Sequence, residues 1–126
     1  MIAATSIEFI NDLAQYHYNN HYYDFHNDYT CGQIVYTGKT LALQLNNNTD
    51  NSLISLKFTD VIITAINFFN VEETTQLTID SLYRGRLELN GELIETSEDG
   101  NGYFYLEFYE GQKLEFWARS VGIGNT

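Results

Sequence analysis

Residues 31–119 predict a mainly β fold of the α+β kind: an N-terminal helix followed by a mostly antiparallel sheet of about eight short strands, a sandwich or half-barrel. Three observations carry that expectation. Apolar residues recur at every second position through much of the chain after residue 30. Turn signals punctuate those runs, at Gly38, at NNNTDN (46–51), at Asn90-Gly91 and at SEDGNG (97–102). Before residue 20 the apolar spacing is helical instead. The 126 residues, 44% hydrophobic, suit one domain with a core that needs no staple.

The expected helix occupies 1–20. Thr5 and Glu8 have the T-x-x-E spacing of a capping box, and Ile7, Ile10, Leu13 and Ala14 repeat at helical spacing. Asn19-Asn20 is a plausible stop near Tyr18. Residues 21–30 then form an aromatic connection. TLALQL and SLISLKF, with Leu41, Leu43 and Leu45 facing Ile54, Leu56 and Phe58, predict a hairpin. VIITAINFF is apolar at both parities, so it predicts a strand covered on both faces or one crossing the core irregularly. VEETTQ predicts a loop. QLTIDSLY alternates until its phase slips near Leu82. RLELNGELIE holds Asn-Gly, the strongest short hairpin signal.

The last hairpin tests register. YFYLEFY directs Phe104, Leu106 and Phe108 inward, and KLEFWARSV directs Leu114, Phe116 and Ala118 inward. A two-residue turn at Glu110-Gly111 would set Phe108 against Lys113, mixing core and surface. A three-residue connection, Glu110-Gly111-Gln112, sets Phe108 opposite Leu114 and Leu106 opposite Phe116, and patterning favours it.

Charge bounds the partners. Six Lys+Arg against 17 Asp+Glu give a formal net charge of −11. Such a field repels phosphate backbones and anionic lipids and steers in a basic protein, so neither nucleic acid nor membrane is an expected partner. The beginning, MIAATSIEF, lacks the basic start and apolar run of a signal peptide, and no apolar stretch is long enough for a membrane helix. A lone cysteine, Cys31, allows no intrachain disulfide and fits a reducing compartment, the cytoplasm.

Several constellations could carry chemistry. HYYDFHNDY (21–29) packs two histidines, two aspartates and four aromatics together, with His17 upstream. Were the helix continuous to residue 24, His17, His21 and Asp24 would share one face, and with His26 could hold Zn²⁺ in a small metal-binding domain or metallo-hydrolase. Asn19-Asn20 interrupts that face, and no HExxH pattern is present, so an aromatic bridge with polar tips is preferred. Cys31 lacks a nearby cation and reads as a buried, idle thiol. Eight acids between Glu88 and Glu115 suggest a solvated or docking face before paired catalytic carboxylates. SEDGNG fails the calcium-loop pattern, since neither placement of its glycines puts Glu at position 12. A sheet enclosing a small ligand is a further alternative. No cofactor is expected, and no enzymatic activity.

The favoured site is a surface. Tyr103, Tyr105, Glu107 and Tyr109 alternate outward on one strand beside Glu115 and Trp117 on the next. Tyr and Trp are favoured hot-spot residues of protein interfaces. The N-terminal helix, the H-x-x-D corner from His21 to Asp24, and the hairpins ending in YLEFYEGQKLEFWARSV together resemble small acidic bacterial immunity proteins. These are antidotes to polymorphic or contact-dependent toxins. The resemblance implies binding and inhibition of a cognate toxin, acidic residues meeting a basic surface. It carries no family site residues to particular positions.

Overall fold

A computed structural model describes residues 2–3, 16–18, 21–67, 77–84, 86–89, 92–95, 97–98 and 100–125. In chain order the strands are β1 (Ile2–Ala3), β2 (Tyr16–Tyr18), β3 (His21–Tyr23), β4 (Tyr29–Thr37), β5 (Thr40–Asn47), β6 (Leu53–Thr59) and β7 (Ile62–Asn67). They continue as β8 (Ile79–Arg84), β9 (Arg86–Leu89), β10 (Glu92–Glu95), β11 (Ser97–Glu98), β12 (Asn101–Phe108), β13 (Lys113–Ala118) and β14 (Ser120–Asn125). The fold is mainly β, and among the described residues every strand pairing is antiparallel. One sheet runs β1-β14-β6-β5-β4; the second runs β11-β12-β13-β7, with β8 also on β12.

Alternation places the core. On β5 and β6, Leu41, Leu43 and Leu45 are buried with Ile54, Leu56 and Phe58; on β12 and β13, Phe104, Leu106 and Phe108 are buried with Leu114, Phe116 and Ala118. Phe58 of the first sheet meets Phe104 and Phe116 of the second edge-on, with ring centroids 5.3 and 4.9 Å apart. The two inner faces therefore share one apolar core. The sheets join at a corner where β6 runs into β7 and β13 into β14. Asp60 takes a positive φ of 51° there, which Asp tolerates better than most residues, and Arg119 N–H donates to the Thr59 carbonyl at 2.9 Å.

Several expectations meet this structure directly. Of the helix expected over 1–20, residues 4–15 lie outside the described residues, and Ile2–Ala3 is not helical but a strand paired with β14. The helix's expected last turn does not form: Tyr16–Tyr18 is a strand paired with His21–Tyr23, so part of the expected connection is a strand as well. β-Branched and aromatic side chains suit a pleated ribbon better than a helix end, and this segment is rich in tyrosine. The hairpin of β9 and β10 pairs Leu89 with Glu92, as Asn90-Gly91 predicts. The phase slip in QLTIDSLY is a bulge at Asp80: Leu106 faces Leu82, but Phe108 faces Ile79, so Ile79 and Leu82 are both buried. VEETTQ (71–76) lies outside the described residues.

Two expectations are corrected. VIITAINFF supplies neither a strand covered on both faces nor a core crossing. Among the described residues its β7 ends the second sheet, and Ile62 and Ile66 are 58% and 56% exposed. The last hairpin keeps its facing but shifts its partners: Leu106 faces Leu114 and Phe104 faces Phe116, while Phe108 N–H donates to the Gln112 carbonyl at 2.9 Å. The connection is thus Tyr109-Glu110-Gly111. Glycine fixes this choice. Such three-residue loops end in a residue with positive φ, and Gly111 sits there at 101°.

Candidate functional site

The outer face of the second sheet is built in rungs, each a row of residues opposite one another on neighbouring strands. The first rung is Ile62, Trp117 and Tyr103; the second is Ala65, Glu115, Tyr105 and, by position, Tyr83. The third is Asn67, Lys113, Glu107 and, by position, Ser81. Polarity rises along the strands from an aromatic end to a charged end.

The aromatic end is preorganised. Tyr103 packs edge-on against Trp117 at 4.9 Å and against Tyr105 at 5.3 Å between ring centroids. Its hydroxyl shares a 2.5 Å hydrogen bond with Thr64 Oγ1 and lies 3.3 Å from Glu115 Oε1, to which it can donate. Thr64 Oγ1 can in turn donate to the Glu115 carbonyl at 3.3 Å. Thr64 is the extra residue of a bulge, since Glu115 faces Ala65 while Phe116 faces Ile63. That irregularity carries the threonine to the tyrosine. Tyr103, Tyr105, Glu107, Glu115 and Trp117 are half-buried, so the platform is fixed by its neighbours yet partly open to solvent.

Five of the six residues expected from sequence thus come together. The sixth, Tyr109, does not join the strand face. It is the first residue of the hairpin loop and is 75% exposed. Its neighbour Glu110 is a local brace, because its carboxylate accepts the Thr78 N–H at 2.8 Å. Ile62 and Thr64 belong to the face and were not among the expected residues. Their signal is an apolar run with no charge, which fits an edge strand under an interface as well as a buried one.

The histidine cluster takes a different arrangement from the one its helical spacing implies. In the β2–β3 ribbon His17 stands opposite Tyr22 and His21 opposite Tyr18, so the two histidines occupy positions of opposite parity. The Asp24 carboxylate caps its own turn, accepting from the backbone N–H of His26 (3.2 Å) and Asn27 (2.9 Å) and from the Asn27 side chain (2.9 Å). His26 Nδ1 lies 2.7 Å from the Ile79 carbonyl, which can only accept, so Nδ1 carries the proton. Among the described residues no three His, Cys, Asp or Glu stand together as metal ligands would. Phe25 and Tyr29 are buried here, with Tyr23 stacked on Phe25 at 5.4 Å, making the corner an aromatic plug.

Cys31 is buried, and loss of hydration pushes its thiol from 9.0 up to about 11, an effect that hydrogen bonding at the Gln33 backbone partly offsets. A protonated, enclosed thiol is a poor nucleophile. Among the described residues no helix is long and apolar enough to cross a membrane. No family model matches the chain, and no curated protein matches it.

Proposed function

We propose that this protein is an acidic, non-enzymatic binding module of the cytoplasm that inhibits a basic protein, as an immunity protein inhibits a toxin. The outer face of the second sheet is its contact surface. One observation carries the reading: Trp117, Tyr103 and Tyr105 form a packed aromatic platform, continuous with Glu107 and Glu115, on a chain of net charge −11. Aromatic rings that are already ordered lose little entropy on binding and supply burial. Carboxylates beside them steer a cationic partner and set its register.

Capture from a lysate of the source cells tests this reading, with low-salt and then high-salt washes. A basic protein should be retained by the native chain at low salt and partly released at high salt. Trp117→Ala should lose it at both, and Glu107→Lys should slow its association without hastening release. Equal retention by Trp117→Ala and the native chain would move the contact surface elsewhere; absence of any retained basic protein would sink the reading.

A further inference from the structure

The charged end of the same face holds a shallow depression of about 220 Å³. Tyr105 and Glu107 of β12 and Lys113 and Glu115 of β13 line it, with the buried Leu106 and Leu114 beneath. We infer that this depression is a socket for one arginine side chain of the partner, and that the charge of Lys113 at its edge weakens the binding of any cation there. The inference rests on the binding-module reading and names the partner chemistry that the face selects.

Size argues for a side chain. Small-molecule pockets run to roughly 300–1,000 Å³, and this one is smaller and open to the surface. Register argues for arginine. Tyr105 faces Glu115 and Glu107 faces Lys113, so the two carboxylates stand on one diagonal of a four-residue square. Diagonal neighbours across a ladder are roughly 7–8 Å apart. A planar guanidinium with five donors in a fork can span two such carboxylates, whereas a compact ammonium favours one of them.

The fourth corner makes the socket selective. Glu115 is already tied to the Tyr103 hydroxyl, whereas neither Glu107 nor Lys113 has a hydrogen-bond or ion-pair partner among the described residues. Lys113 therefore partly neutralises the depression without closing it. An arriving guanidinium gains two carboxylates there, whereas a compact ammonium gains one, too little to offset the nearby charge of Lys113.

The test is an NMR titration of the intact chain with N-acetyl-arginine amide, set against N-acetyl-lysine amide at the same low ionic strength. Saturable shifts should centre on the amides of Tyr105–Glu107 and Lys113–Glu115, with arginine about fivefold tighter than lysine. Glu107→Gln should weaken arginine by about fivefold, and Lys113→Met should tighten it by about threefold. Lys57→Met, on the other sheet, removes the same charge and should change nothing. Equal binding of the two probes, shifts scattered over the acidic surface, or equal effects of Lys113→Met and Lys57→Met would each overturn the socket. If these fail while a basic protein is still captured through Trp117, the socket falls and the binding module stands. If Trp117→Ala captures as well as the native chain, that reading falls on its own evidence.

Discussion

The outer faces of the two sheets follow the same alternation and carry opposite chemistry. On the first sheet the rungs are Val35, Ala42, Lys57 and Gly122, then Gln33, Gln44, Ser55 and Gly124. These side chains are small or uncharged apart from Lys57, and Ser55 and Gly122 are buried. The matching face of the second sheet carries a tryptophan, two tyrosines, two glutamates and a lysine, the rings packed on one another. Their inner faces, by contrast, are alike: leucines, isoleucines and phenylalanines on both. Folding constrains the inner faces together, because they share one core. It leaves the outer faces free to differ, and that difference is the reason the second sheet's face is the one proposed for binding.

The sharpest way to break that comparison is to truncate one large side chain in the shared core and one on the outer face of the second sheet. Phe58→Ala removes the ring that joins the sheets and should cost about 3–5 kcal/mol of stability, lowering the denaturant midpoint with an unchanged slope. Trp117→Ala removes a half-buried ring and its edge-on contact with Tyr103, and should cost about 1–2 kcal/mol. Its effect on partner affinity should be larger, about 2 kcal/mol or roughly 30-fold. Gln44→Ala on the first sheet should move neither quantity appreciably. Were Trp117→Ala to unfold the chain as readily as Phe58→Ala, the aromatic platform would be a second core and not an interface.

A second measurement contrasts the interior with the titrating surface. The folded Cys31 thiol is raised to about 11, above its ordinary 9.0, by burial. Between those values the unfolded chain has released this proton and the native chain has kept it. Stability from Cys31 is therefore complete below pH 9 and declines as pH rises, by about 1.4 kcal/mol per pH unit until the folded thiol ionises near 11. Denaturant unfolding across pH 8–11 should show a steeper decline for the native chain than for Cys31→Ala, the shared slope cancelling between them. Parallel curves would mean that the thiol is open to water.

The sequence makes the inner faces legible because alternation is enforced wherever burial is. Leu41 to Leu45, Ile54 to Phe58 and Phe104 to Phe108 can be assigned from period alone, and the phase slip near Leu82 is legible, though only the structure shows it to be a bulge. Partner choice in the last hairpin was less legible: shifting the pairing by two residues preserves every facing, so pattern cannot choose, and the positive φ of Gly111 does. VIITAINFF misled for a related reason. An edge strand that exposes isoleucine has the same composition as a buried strand, and only its place in the sheet separates them. At the site, alternation brought five residues together correctly, but Thr64 reached Tyr103 through a bulge that no pattern announces. The histidine cluster was misleading as helical spacing, since His17 and His21 lie on a ribbon.

The smallest expected effect concerns the end of the core where the inner alternation is imperfect. Gln112 stands at the base of the last hairpin with only 2% of its surface exposed, and neither its Nε2 nor its Oε1 has a hydrogen-bond partner among the described residues. Every other inward position of β12 and β13 from Phe104 to Ala118 is apolar. Burying a carboxamide without partners costs free energy that a methylene chain of similar length does not. Gln112→Met should therefore leave stability unchanged or raise it by up to about 1 kcal/mol, read from the denaturant midpoint. The hairpin should keep its register, because Gly111 and the Phe108–Gln112 backbone bond set it. Destabilisation by Gln112→Met would mean that the carboxamide is satisfied in solution. The inner face of the second sheet would then have a polar requirement that the first sheet, whose strand β5 is lined by Leu41, Leu43 and Leu45, does not share.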